Sequence, residues 1–110
     1  MSEYYKPEHL PNFGDISEGN PDLASKFFTY YGAVFQDGAL SVREKSLIAL
    51  AVSHAVQCPY CIDAYSKKSL AEGSDLEQMT EAIHVATAIR GGASLVHGMQ
   101  MLEKVNKLSM

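Results

Sequence analysis

The chain has 110 residues, of which 46% are apolar and 20% charged, and its net charge is −4 at neutral pH. That is enough for one domain with a modest core, and the apolar share calls for a partner subunit, so homo-oligomerisation is the default expectation. The acidic balance, with no basic run, argues against a nucleic-acid partner, and no apolar run approaches the roughly 18 residues of a membrane span.

Residues 1–19 carry Pro7, Pro11 and Gly14 among alternating polar residues and sustain no period, which predicts an extended arm with at most a short helical turn. Tyr4, Tyr5, Leu10, Phe13 and Ile16 would pin this arm to the body or to a neighbouring subunit. It lacks the apolar stretch of a signal peptide, so a cytoplasmic protein is expected. Residues 20–110 read as a helical domain. Asn20-Pro21-Asp22 is a helix start, with Asn as cap, Pro at the first position and a carboxylate in the first turn. Leu23, Phe27, Tyr30, Tyr31, Val34 and Phe35 then recur at helical spacing until Gly38, a stripe better suited to core packing than to a substrate pocket.

Ser41-Val42-Arg43-Glu44 fits the S-x-x-E capping box and predicts a second helix to about residue 56. From Leu47 to Val56 the only polar residues are Ser53 and His54, which suits a helix buried on most sides. Pro59 restarts the chain as a third helix over 59–72, closed by Gly73. Ser74-Asp75-Leu76-Glu77 predicts another capping box, opening a fourth helix with Leu76, Met79, Ile83 and Ala86 on one side. Gly91-Gly92 reads as a break or a close helix contact, with a last helix over 93–107. No stretch alternates with period two between hairpin turns, so the fold class is all-α.

Both cysteines, Cys58 and Cys61, lie at the start of the third helix as C-x-x-C. Unpaired N–H groups and the positive dipole end favour a thiolate there, and positions i and i+3 share a face, so the sulfurs can close a disulfide. In a cytoplasmic chain such a pair is more often catalytic or metal-binding than structural. A zinc site would need two further ligands, for which His54, His84 and His97 are the candidates; that shortage favours redox chemistry, with no metal or cofactor. His54 has two readings: it takes the thiol proton, or it bonds a backbone carbonyl and holds the turn. Tyr65, four residues after Cys61, shares its helix face and would donate a hydrogen bond to a thiolate or a peroxide oxygen. Glu44 could serve a proton relay, although capping explains it fully.

The run from Glu44 to Gly73, with Ser-His-Ala-Val-Gln-Cys-Pro-Tyr-Cys-Ile-Asp-Ala-Tyr at its centre, resembles the core of the carboxymuconolactone decarboxylase and alkylhydroperoxidase D superfamily. The likeness continues through Glu81 to Ala86 and Arg90 to Gly98, and so covers roughly residues 20 to 100. Cys-Pro-Tyr-Cys-Ile-Asp-Ala-Tyr together with Gly-Gly-Ala-Ser-Leu-Val-His-Gly is similar to a small peroxidase-like branch associated with arsenosugar biosynthesis. The resemblance implies a compact all-α fold assembling as trimers or hexamers. It also implies a peroxidase or disulfide reductase in which Cys61 attacks a hydroperoxide, Cys58 resolves it, and a dithiol carrier such as a lipoyl or thioredoxin-like protein resets the pair. Two departures stand out. The family pattern has a histidine where this chain has Tyr65, and a glutamate where it has Ser46, with Glu44 two residues earlier.

The leading expectation is therefore a cofactor-free, cysteine-dependent oxidoreductase acting on a peroxide or a disulfide. The alternatives are a decarboxylase of carboxymuconolactone and a non-enzymatic dithiol binder of metal or arsenite.

Overall fold

The computed structural model describes residues 6–109, without the side chains of residue 7 and residues 9–13. Helices begin where a side chain answers their unpaired N–H groups. Asn20 accepts from the Leu23 N–H at 3.1 Å and opens α1, Pro21–Val34. Ser41 and Glu44 form the expected capping box, at 3.1 and 2.8 Å, and open α2, Val42–Ala55. Cys58 itself caps α3, Pro59–Ala71. The cap of α4, Leu76–Leu108, is Asp75 with Gln78, not the expected Ser74 with Glu77. The reason lies in the preceding turn: the Ser74 N–H returns to the Ser69 carbonyl to close α3, so capping passes to the next residue.

Two other expectations are corrected. The chain does not break at Gly91-Gly92; α4 runs through them for 33 residues. Two glycines cost a helix about 1 kcal/mol each against alanine, but they keep their N–H groups and leave the ladder whole, whereas a proline would not. The arm is not extended: Pro7–Glu18 forms a 3-10 helix against α1 and α3, and the Lys6 N–H donates to the Tyr60 hydroxyl at 3.2 Å. Proline's fixed φ suits 3-10 geometry as well as extended chain. Tyr4 and Tyr5 lie outside the described residues, as do the side chains of Leu10 and Phe13, while Ile16 is exposed.

The helix in the middle is α2, which packs against both α3 and α4. Its crossing with α3 is lined by small residues. Ser46 and Ser69 are wholly buried, and the Ser69 hydroxyl donates to the Ser46 carbonyl at 3.3 Å. The Ser46 and Ser53 hydroxyls return to their own helix, to the carbonyls of Arg43 and Ala49. Short side chains that satisfy themselves on nearby carbonyls let two backbones approach without stranding a polar group. Leu50 and Met79 are the only large apolar residues buried among those described. The described residues are all-α, without strands, and the C-x-x-C opens α3 as expected. The isolated chain is nonetheless elongated. Its radius of gyration is 18.8 Å, against about 13 Å for a globular chain of this length. Much of that extension is the second half of α4, whose Ile89, Leu95, Val96 and Met99 face solvent. Among the described residues no helix is long and apolar enough to cross a membrane.

Candidate functional site

The site begins at the end of α2. The Cys58 N–H bonds the Ser53 carbonyl at 3.0 Å and the Gln57 N–H bonds that of His54 at 3.2 Å, the paired closure that reverses a chain after a helix. This closure needs a left-handed residue, and Gln57 supplies it with φ 57°. For a residue with a Cβ that conformation costs roughly 1–2 kcal/mol. The turn hands Cys58 directly to the cap of α3, so one residue both ends one helix and starts the next.

Cys58 and Cys61 are disulfide-bonded, with Cα atoms 5.2 Å apart. The Cys58 sulfur also accepts the Cys61 N–H at 3.3 Å. A sulfur held by a helix-start N–H is a sulfur that can carry negative charge. The two cysteines differ in what they face. Cys61 lines a cavity of about 620 Å³ between the end of α1, one side of α2 and the start of α3, and Cys58 is not in its wall. Val34, Leu40, Ile48, Val52 and Val56 make much of that wall apolar.

Tyr65 is in the same wall, and its hydroxyl is hydrogen-bonded to that of Tyr31 on α1. Its ring stacks on Phe35 with centroids 5.2 Å apart, continuing a ladder from Phe27 through Tyr31 to Phe35 at 5.7 and 5.2 Å. Burial pushes the Tyr65 phenol well above its ordinary range. Tyr65 therefore remains a donor and is no base at neutral pH. Lys45 fixes this end of α1 by donating to the carbonyls of Val34 at 2.7 Å and Gln36 at 2.5 Å.

The remaining site candidates are outside the cavity wall. His54 directs Nδ1 at the Leu50 carbonyl at 2.8 Å; a carbonyl only accepts, so Nδ1 carries the hydrogen. His54 is not in the cavity wall. Glu44 is exposed at the far end of α2, roughly 15 Å along the helix axis from His54. Bonds from the Ser41 N–H and hydroxyl hold its carboxyl below the usual carboxylate range. Ser46, where the family pattern has a glutamate, is fully buried with its hydroxyl on the Arg43 carbonyl. Among the described residues no three or more of His, Cys, Asp and Glu cluster as metal ligands would. The arrangement thus brings together Cys58, Cys61 and Tyr65, adds Tyr31, and leaves Glu44 elsewhere. Tyr31 was readable as part of an aromatic stripe, but the i, i+4 spacing of Phe27, Tyr31 and Phe35 does not say which hydroxyl meets α3.

The model of the carboxymuconolactone decarboxylase family matches residues 21–104. The chain belongs to this family. The match runs from α1 through most of α4 and takes in the C-x-x-C and both tyrosines. The family includes decarboxylases and peroxidases. An uncharacterised protein of the cox locus of Paracoccus denitrificans is 36% identical over 108 residues, 98% of this chain and 97% of that protein. An uncharacterised protein of Cupriavidus necator is 26% identical over 97 residues, 88% of this chain and 86% of its own length. A crystal structure of a protein from Methanobacterium thermoautotrophicum superposes with a TM-score of 0.74 at 32% identity, over 78% of this chain and 97% of that one.

Proposed function

We propose that this member of the carboxymuconolactone decarboxylase family is a cysteine-dependent peroxidase, with Cys61 attacking and Cys58 resolving. The observation that carries the reading is the asymmetry of the pair: the two sulfurs are bonded to each other, and only Cys61 lines the cavity. In the first step the Cys61 thiolate attacks the terminal oxygen of a hydroperoxide. An S–O bond forms, the O–O bond breaks, and two electrons pass from sulfur to the departing alkoxide, which takes up a proton and leaves as an alcohol. Cys58 then attacks the sulfenic acid, an S–S bond forms, and water leaves with the Cys58 proton.

An external dithiol, of the lipoyl or thioredoxin kind, resets the pair. Its thiolate attacks the Cys61 sulfur from the cavity side, and Cys58 departs as a thiolate held by the Cys61 N–H. The better-stabilised thiolate leaves faster, so the helix start favours this direction of cleavage. The donor's second thiol then displaces Cys61, carrying off two electrons' worth of oxidation as the donor's own disulfide. We also propose that the working form is a homo-oligomer of at least three chains.

The test is consumption of cumene hydroperoxide supported by dihydrolipoamide. Cys61→Ser is expected to abolish turnover, and Cys58→Ser to stop it after a single oxidation. Turnover by Cys61→Ser at the wild-type rate would refute the assignment.

A further inference from the structure

The proposed reaction needs an acid, because an alkoxide is a poor leaving group, and neither Glu44 nor His54 stands in the cavity wall. Besides Cys61, the proton-bearing side chains there are Lys45, whose ammonium donates to the carbonyls of Val34 and Gln36, Ser53, whose hydroxyl donates to the carbonyl of Ala49, and a pair of phenols contributed by two helices. We infer that Tyr31, on α1, is a positioning residue for the peroxidase step, donating its hydrogen bond to Tyr65 so that the Tyr65 hydroxyl is turned toward the oxygen that leaves. This inference rests on the proposed peroxidase reading.

Each phenol has one hydrogen to give, and the bond between the two hydroxyls uses one of them. Among the described residues neither hydroxyl has another hydrogen-bond partner, so the pair holds one uncommitted hydrogen beside the cavity. Tyr65 shares α3 with Cys61 and follows it by one helical turn, whereas Tyr31 reaches the cavity from α1, so Tyr65 is assigned the oxygen being cut from the attacked peroxide. When Tyr31 donates, the Tyr65 hydrogen is the free one. A phenol that accepts one hydrogen bond is also polarised to donate a stronger one.

The same arrangement suits the charge that develops. Once Tyr65 gives its proton to the alkoxide it becomes a phenolate, and the Tyr31 hydrogen bond already points at that oxygen. Burial keeps the Tyr65 phenol protonated against water, yet a phenol remains a far stronger acid than an alcohol, so the transfer runs toward the alkoxide. The proton that Cys61 shed on ionising returns from water to Tyr65, and the step closes as thiol plus hydroperoxide giving sulfenic acid plus alcohol. Tyr31 holds its place because this end of α1 is docked by two features: the stack of Phe35 on Tyr65 of α3, and the carbonyls of Val34 and Gln36 gripped by Lys45 of α2. No residue of α1 is fully buried, so this local grip, not a deep core, positions the hydroxyl.

The experiment follows single oxidation of dithiol-reduced, desalted protein, and so requires no electron donor. Two oxidants are compared, tert-butyl hydroperoxide and peracetic acid. The first expels an alkoxide and needs the acid; the second expels a carboxylate and does not. Tyr31→Phe keeps the ring and its stacking. It should lose about 10-fold or more of the rate with tert-butyl hydroperoxide, the lower part of what a positioned acid supplies, while the peracetic acid rate changes by less than about threefold. The double variant Tyr31→Phe, Tyr65→Phe should be no slower than Tyr65→Phe alone, since Tyr31 acts through Tyr65. Equal losses with both oxidants, as displacement of α1 would give, overturn the inference, and so does no loss with either. If the wild type shows no cysteine-dependent oxidation by either compound, the peroxidase reading falls with it; a wild type that reacts beside an unselective Tyr31→Phe sinks the inference alone.

Discussion

Tyr65 is the residue whose behaviour departs furthest from its exposed counterparts. Its pKa in the folded chain is raised by burial, so above about pH 10 the unfolded chain has lost a proton that the folded one retains. The sign follows: the contribution of this group is fully present below the unfolded pKa and is lost as pH rises beyond it. In an alkaline titration followed by phenolate absorbance, Tyr65→Phe should remove only the last-titrating component of the wild-type curve. Loss of an early component instead would mean that the hydroxyl is solvated. At this scale the cysteine pair and Tyr65 were legible, because C-x-x-C around a proline and a residue four positions on are patterns along one helix. Tyr31 was not, since its partner is 34 residues away and the choice between Tyr30 and Tyr31 depends on how α1 is rotated against α3.

At the level of elements, α2 and α3 end in the same backbone closure with different residues in the left-handed position. Gln57 has φ 57° and Gly73 has φ 94°, and in both turns two N–H groups return to the preceding turn. Glycine takes this conformation without a Cβ clash, and side-chain-bearing residues do not. Gly73→Ala is therefore expected to lower unfolding free energy by about 1 kcal/mol or more. Gln57→Gly should be neutral or stabilising by up to about 1 kcal/mol. Urea denaturation of the two variants checks the contrast, and a destabilised Gln57→Gly would show that the Gln57 side chain contributes more than its backbone costs. Helix starts were largely readable, because Asn-Pro-Asp and S-x-x-E are local signals. The cap of α4 moved by one residue because Ser74 was already engaged in closing α3, a use of the backbone that the S-x-x-E pattern does not encode. Gly91-Gly92 misled for a related reason: glycine weakens a helix without ending it, and 33 residues of otherwise ordinary helix formers carry the ladder across.

For the molecule as a whole, surface area is the telling quantity. The chain exposes 8408 Å², whereas a self-contained protein of 12.0 kDa exposes about 6,000 Å². Large apolar side chains are left exposed on α1, α2 and α4, where Leu23, Tyr30, Val52, Leu95 and Val96 stand more than half exposed. Apolar side chains exposed along several helices are the kind of surface that an oligomer interface covers. Light scattering at micromolar concentration should accordingly give the mass of at least three chains; a monomer's mass would contradict the proposal. Composition pointed this way, since so many apolar residues in so short a chain exceed what one layer of helices can cover. Which helix supplies the surplus depended on α4 being unbroken.

The claim on which the functional account depends is that Cys61 is the sulfur that meets the oxidant. Dithiol-reduced Cys58→Ser and Cys61→Ser can each be given one equivalent of cumene hydroperoxide in the presence of dimedone, with the adduct located by peptide mass spectrometry. The account predicts a sulfenic acid adduct on Cys61 in the first variant and none on Cys58 in the second. An adduct on Cys58 alone, or on neither sulfur, would contradict it.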